Sequence, residues 1–180
     1  MIFLIRHGEA AAHWGAHPDP GLSARGHDQA IAVATQLSAE QKVEQMYSSP
    51  MQRCVETAQP LADLTGLEAQ IEPAVTEIPT PSEVSDRRQW LSTLMAGNWA
   101  DAPSLVQDWR TELCRRVENL PDHSAVFTHF VAINAIVSAL ENNPAVRVFN
   151  PGHASVTSLI KQDGQLTLHQ REDQAPSVIL

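Results

Sequence analysis

The chain has 180 residues, of which 43% are hydrophobic, and these figures fit one globular domain that spans residues 1–180. Its formal net charge of −9 argues against non-specific nucleic-acid binding, and it contains no apolar run long enough to cross a membrane. The first apolar run has four residues and no basic segment before it, so we expect no signal peptide and a cytoplasmic location.

Short apolar runs alternate with amphipathic segments along the chain. Strands are predicted over 2–6, 43–47, 124–128, 155–161 and 165–170, with a hairpin turn at Asp163-Gly164 between the last two. Helices are predicted over 23–38, 51–65, 82–96, 103–120 and 130–140. This alternation predicts an α/β fold, a three-layer α/β/α sandwich with a mainly parallel central sheet.

Several local expectations accompany these elements. Ile31 and Val33 should broaden the buried face of the first helix, and Pro60 should kink the second helix or delay its start. On the fourth helix an apolar residue recurs every four positions, which predicts a core stripe made of Leu105, Trp109, Leu113 and Val117. Both cysteines, Cys54 and Cys114, lie on helix-like segments and should pack as apolar residues without a disulfide. Residues 171–180 should form a loose tail.

The first strand runs directly into the tripeptide Arg6-His7-Gly8. Ligands of open α/β sheets collect at the carboxyl ends of strands, where this turn lies. Gly8 permits a sharp turn, Arg6 supplies a planar cation suited to phosphate, and an unprotonated imidazole is a competent nucleophile near neutral pH. Taken alone, such a tripeptide favours the simpler interpretation, in which His7 is an ordinary polar residue that closes a strand.

Three further segments accompany this tripeptide. They are Ser48-Ser49-Pro50 with Arg53, Thr57 and Ala58; Phe127-Thr128-His129 at another strand end; and 21–30, where a loop leads into a helix. In this order, the four segments resemble the histidine phosphatase superfamily, from residue 1 to about residue 160. The phosphatase and phosphoglycerate mutase branches of that superfamily share a phosphohistidine mechanism.

The resemblance implies roles for individual residues and no cofactor. His7 would be the nucleophile, and Arg6, Arg53 and His129 would hold the phosphoryl group without a metal ion. His129 would also act in catalysis. By themselves, Arg53 could be a solvated surface charge and His129 a buried structural histidine. Ser23 fits a helix cap, and the matching family position lies near the phosphate, so both roles remain open.

Two departures from the family pattern concern His13 and the general acid. The mutase branch usually has a serine and an asparagine where this chain has Ala10 and His13. His13 could donate to phosphate or point outward. A leaving alkoxide requires a proton, and Glu77 is the preferred carboxylic acid, with Glu83 as the alternative.

We therefore expect a metal-independent phosphomonoesterase that acts on a small phosphorylated metabolite or a phosphoprotein, with no nucleic-acid or membrane partner. One alternative is a phosphoglycerate-type mutase, although at 180 residues the chain lacks room for the extra segments that close over the site in the mutases it resembles. Others are a non-catalytic module that binds phosphorylated ligands, and a metal site at His13 and His17, which the following Pro18 disfavours. Residues 9–20 and 77–100 should form the lid that selects the substrate. Nothing in the sequence predicts an oligomeric state.

Overall fold

The computed structural model describes residues 1–11 and 19–172. Within these ranges, six strands form one sheet in the order β3-β2-β4-β1-β5-β6. The strands are β1 (Ile2–Arg6), β2 (Gln45–Ser48), β3 (Ala69–Ile71), β4 (Ser124–Thr128), β5 (Val156–Gln162) and β6 (Gln165–Gln170). Strands β3, β2, β4 and β1 pair in parallel, whereas β5 and β6 are antiparallel to their neighbours.

Five helices connect or follow these strands in the part of the chain that is described. They are α1 (Ala24–Glu40), α2 (Gln52–Thr65), α3 (Arg87–Met95), α4 (Ser104–Glu118) and α5 (Phe130–Leu140). The side chain of Ser23 accepts a hydrogen bond from the Gly26 amide and caps α1. Gly66, in the left-handed conformation with φ of 73°, ends α2.

The sheet separates two apolar cores. Along β1, Ile2 and Leu4 point into the core shared with α3, α4 and α5, while Phe3 and Ile5 point into the core shared with α1 and α2. This alternation is the two-residue period of a strand with both faces covered. The three-layer α/β fold with a mostly parallel sheet is therefore confirmed.

The boundaries differ from the predictions in three places. Strand β3 was not predicted, because its three residues Ala69–Ile71 carry little strand signal. Helix α3 begins at Arg87 rather than Ser82, since the Asp86 side chain accepts from the Gln89 amide and caps it there. Helix α2 runs from Gln52 through Pro60, so the expected late start is not seen.

Two predicted core positions are wrong. Ile31 is 56% exposed, although Val33 on the same helix is buried. Leu105 is 47% exposed and Val106 takes its place, so the core stripe of α4 begins one residue later than predicted. The hairpin turn is confirmed, because Asp163 and Gly164 both have positive φ between β5 and β6.

The remaining features concern thiols, the tail and membrane spans. Cys54 and Cys114 are free thiols, buried and half-buried respectively. Most of the predicted tail, 173–180, lies outside the described residues. None of the helices described is long and apolar enough to cross a membrane.

Candidate active site

The carboxyl ends of β1 and β4 bring two histidines together. These strands are parallel neighbours with Arg6 opposite Thr128, so the residues that follow, His7 and His129, leave the sheet side by side. Their ring centroids lie 5.4 Å apart at an interplanar angle of 61°. The sheet register therefore pairs two residues that are far apart in the sequence.

The hydrogen bond of His7 determines its tautomer. Nδ1 lies 2.7 Å from the Gly8 carbonyl oxygen, which can only accept, so Nδ1 carries the proton and Nε2 carries the lone pair. Burial lowers the pKa of His7 well below 6.5, and the charges of Arg6 and Arg53 lower it further. The ring is thus a neutral imidazole with Nε2 available as a nucleophile.

Close backbone packing fixes the turn that carries His7. A Cβ atom on Gly8 would lie 2.7 Å from the Gly26 carbonyl oxygen, and one on Gly26 would lie 2.1 Å from the carbonyl oxygen of Glu9. The Gly8 amide donates to Thr57 Oγ1 at 3.0 Å, and that hydroxyl donates to the Arg53 carbonyl oxygen at 2.6 Å. Thr57 thereby links the His7 turn to the helix that carries Arg53.

Arg6 is held by the segment that precedes β5. Its Nη1 donates to the Pro151 carbonyl oxygen at 2.8 Å, and its Nη2 lies 3.0 Å from Nε2 of His153. The guanidinium also lies over the Phe130 ring, 5.2 Å from the centroid. Burial lowers the pKa of Arg6 to about 10, so it remains a cation at neutral pH.

Arg53 lies in the first turn of α2 and is buried. Its Nη2 contacts His129 Nδ1 at 3.2 Å and Glu77 Oε2 at 3.5 Å, and its Nη1 lies 3.8 Å from Asp19 Oδ1. The same Asp19 carboxylate accepts from the Gln52 amide at the start of the helix. Asp19 therefore both caps α2 and holds Arg53 in place.

His129 is fully buried at the N-terminus of α5. Because Arg53 Nη2 can only donate, His129 Nδ1 accepts, and its Nε2–H donates to Ser49 Oγ at 2.8 Å. Burial lowers the pKa of His129 well below 6.5, and His7 and Arg53 reinforce that shift. His129 is therefore neutral.

Glu77 follows the short 3₁₀ turn Pro73–Val75 and its side chain is 9% exposed. Its Oε2 lies 3.5 Å from both Arg53 Nη2 and His129 Nδ1, and its Oε1 accepts from the Ile78 amide at 3.1 Å. Burial raises the pKa of Glu77, and the opposing pull of Arg53 offsets this only in part. Such a carboxyl retains a proton to higher pH than an exposed one.

The other predicted site residues lie away from His7, Arg53 and His129, or fall outside the described residues. Ser23 Oγ donates to Glu9 Oε1 at 2.8 Å and accepts from the Gly26 amide, so the α1 cap uses both hydrogen-bonding roles in this structure. Its contact with phosphate stays a prediction. His13 and His17 lie outside the described residues, and Glu83 is exposed beside Ser82.

Some residues of the site were not predicted from the sequence. Asp19, Arg87 and His153 have no motif around them, yet Asp19 and His153 contact the predicted arginines directly. Arg87 adds positive charge near Glu77 and His129. Within residues 1–11 and 19–172, no group of three or more His, Cys, Asp or Glu side chains is placed to hold a metal ion.

Comparison with known proteins identifies the family. The sequence model of the histidine phosphatase superfamily (branch 1) matches residues 2–174. The chain belongs to this superfamily. Two relatives share short stretches: PE-PGRS family protein PE_PGRS11 of Mycobacterium tuberculosis (36% identity over 83 residues, 43% of this chain) and phosphoglycerate mutase-like protein 4 of Arabidopsis thaliana (42% over 71 residues, 36% of this chain). The matches cover 14% and 30% of those relatives' own lengths.

Solved structures extend the likeness over the whole fold. The fold is similar to that of a phosphoserine phosphatase from Entamoeba histolytica, solved in complex with 3-phosphoglyceric acid. The two share 20% sequence identity at a TM-score of 0.75, over 96% of each chain. At that identity, the likeness establishes the fold.

Proposed function

We propose that this chain is a metal-independent phosphomonoesterase that acts through a phosphohistidine on His7. The observation that carries this proposal is the neutral His7 tautomer, whose Nε2 lone pair lies in a site charged by half-buried Arg6 and buried Arg53. A phosphate monoester brings negative charge, which Arg6 and Arg53 would neutralise at the equatorial oxygens. The substrate would be a small phosphorylated metabolite or a phosphoprotein.

In the first step, His7 Nε2 attacks phosphorus, and the bond between phosphorus and the ester oxygen breaks. The positive charge that develops on the imidazole is stabilised by the Nδ1–H bond to the Gly8 carbonyl. Protonated Glu77 donates its proton to the departing alkoxide. The buried position of Glu77 supports this role over that of Glu83, which is exposed.

In the second step, water attacks the phosphohistidine and the phosphorus–nitrogen bond breaks. Glu77, now a carboxylate, accepts the proton of the attacking water and is ready for another cycle. His129 would donate a hydrogen bond to a phosphoryl oxygen from its place at the α5 N-terminus, which itself favours an anion. A change of its present contact with Ser49 would release Nε2–H for that purpose.

The experiment is an assay of phosphate release from a panel of phosphorylated metabolites and a phosphohistidine protein, with and without chelator. His7→Ala should abolish release, and acid-labile label from a radioactive substrate should disappear with it. His169→Ala, at an exposed position on β6, is the matched histidine control. Label that persists in His7→Ala would place the nucleophile elsewhere, and chelator inhibition reversed by added metal would refute metal independence.

A further inference from the structure

A third histidine lies at the site without an assigned role. His153 is half-buried in the segment just before β5, and its Nε2 lies 3.0 Å from Arg6 Nη2. Its ring centroid is 5.9 Å from that of His7. Because β5 is antiparallel to β1, the start of β5 lies at the edge of the sheet where β1 ends.

The contact between Arg6 and His153 has only one chemical reading. A guanidinium has donors and no acceptor, so His153 Nε2 must accept and the ring must be neutral with its proton on Nδ1. Burial, with the Arg6 charge as the next cause, lowers the pKa of His153 to about 4. The acceptor therefore persists across the ordinary working range of pH.

The backbone supports the same contact. The Ala154 amide donates to the Arg6 carbonyl oxygen at 3.0 Å, and the Arg6 amide donates to the Ser155 carbonyl oxygen at 3.2 Å. Ala154 has φ of 55°, a left-handed conformation that is uncommon for a residue with a Cβ. This turn places His153 against the Arg6 side chain instead of continuing β5 towards solvent.

The remaining N–H groups of Arg6 indicate which ligand its contacts with Pro151 and His153 orient it towards. Pro151 and His153 each take one N–H group, at Nη1 and Nη2. The Nε–H of Arg6 is buried and has no hydrogen-bond partner among the residues that the structure describes. A buried donor without a partner is costly, which makes it a candidate to receive an anion.

We propose that His153 is a positioning residue, which holds the Arg6 guanidinium so that its remaining N–H groups face the phosphoryl oxygens beside His7. This inference rests on the proposed function, because it assumes that a phosphoryl group occupies the site. His153 acts through Arg6 and takes no proton from the substrate. Loss of the acceptor would allow the guanidinium to rotate and would weaken phosphate binding.

The test compares His153→Ala, which removes the acceptor, with His153→Gln, whose side-chain oxygen can reach a similar position. Inorganic phosphate is the probe, and its dissociation constant is measured by calorimetry alongside kcat and KM for the best substrate. We expect His153→Ala to weaken phosphate binding about tenfold or more, the scale of a hydrogen bond to a charged group. His153→Gln should recover most of that loss, and exposed His169→Ala should bind as the unaltered chain does.

A double-mutant cycle with Arg6→Lys separates action through Arg6 from an independent role. If His153 acts through Arg6, the double variant should bind phosphate no more weakly than Arg6→Lys alone. The proposal would be overturned if the losses in phosphate affinity of the two single variants multiplied in the double variant. It would also be overturned if His153→Ala left phosphate binding unchanged, or if that variant lowered kcat alone. Phosphate binding without turnover in the unaltered chain would instead refute the proposed function and leave the binding cycle valid.

Discussion

Replacement of Glu77 by glutamine tests the general acid directly. The carboxyl is almost fully buried beside Arg53 and His129, and burial raises its pKa, so it keeps its proton to higher pH than an exposed carboxyl does. Glutamine has nearly the same shape and no proton to give. An alkoxide leaving group needs that proton in the transition state, whereas a nitrophenolate leaves readily without it.

The magnitude follows from the role. A positioned general acid contributes about 10²–10⁴ in rate, which corresponds to roughly 3–5 kcal/mol of transition-state stabilisation. We expect kcat/KM of Glu77→Gln to fall by about that factor for alkyl phosphates and by less than about tenfold for nitrophenyl phosphate. The selectivity between the two substrates is the diagnostic quantity.

The substitution also has a structural cost that must be measured. Glu77 Oε1 accepts from the Ile78 amide while Oε2 faces Arg53, so a glutamine NH₂ would meet a donor in either orientation. One buried donor–donor contact costs about 1–3 kcal/mol. Urea denaturation of the variant at the assay temperature would show that the kinetic comparison is made on folded protein.

The pH dependence supplies a second readout. Turnover of an alkyl phosphate requires unprotonated His7 and protonated Glu77. Because the pKa of His7 is lowered and that of Glu77 is raised, activity should fall at high pH as Glu77 loses its proton and at low pH as His7 gains one. In Glu77→Gln, the decline at high pH should disappear.

Glu83→Gln is the matched control, because Glu83 is exposed on the neighbouring loop and contacts Ser82. It should behave as the unaltered enzyme with both substrates. Equal losses on alkyl and nitrophenyl phosphates in Glu77→Gln would indicate a structural role for that residue. A selective loss in Glu83→Gln would transfer the acid to the alternative position.

Three further predictions concern packing, acid stability and the acceptor. Gly26→Ala should lower the free energy of unfolding by at least about 1–3 kcal/mol and should reduce kcat/KM, because its Cβ would lie 2.1 Å from the Glu9 carbonyl oxygen. The control is Gly97→Ala, whose Cβ would have its nearest contact at 3.5 Å, and equal effects of the two substitutions in urea denaturation would contradict the reasoning. The lowered pKa of His129 means that, below about pH 6.5, the unfolded chain binds a proton that the folded chain does not, so this one residue should lower stability with decreasing pH by up to about 1.4 kcal/mol per unit, and His7 and His153 act in the same direction. His129→Asn should reduce that slope in urea titrations at pH 5 and 7, although Glu77, with a raised pKa, contributes in the opposite direction; an unchanged slope would show that His129 is not the cause. Finally, 3-phosphoglycerate with a catalytic amount of the bisphosphate should give little 2-phosphoglycerate, since water is the expected acceptor, and isomerisation that outpaces phosphate release would favour the mutase.

The sequence predicted those elements whose signals are local. Strand β1, helix α5 and the hairpin turn were placed correctly because an apolar run, a helical apolar segment and an Asp-Gly pair each act over a few residues. Strand β3 was missed because it is held by parallel pairing with β2, which is a contact between distant segments. The start of α3 was misplaced at Ser82 although its cap is local, because the Asp86 side chain accepts from the Gln89 amide and begins the helix at Arg87.

The same distinction applies to the site. Arg6, His7, Arg53 and His129 stand in recognisable motifs, and the structure brings all four together with Glu77. His153 precedes a strand without any motif, and its proximity to Arg6 follows only from the antiparallel pairing of β1 with β5. A prediction of strand order would have been needed to find it.

Register is the physical link between the fold and the chemistry proposed for it. Parallel pairing sets Arg6 opposite Thr128 and Ser48 opposite Phe127, so three strand ends deliver His7, His129 and Ser49 to one edge of the sheet. A slip of one residue would turn every side chain of a strand to the opposite face, and it would exchange the Ile2–Leu4 core for the Phe3–Ile5 core. Since both cores are apolar and closely filled, the packing that stabilises the sheet also enforces the 5.4 Å approach of the two histidine rings. The stability of the fold and the geometry of the site therefore depend on the same register.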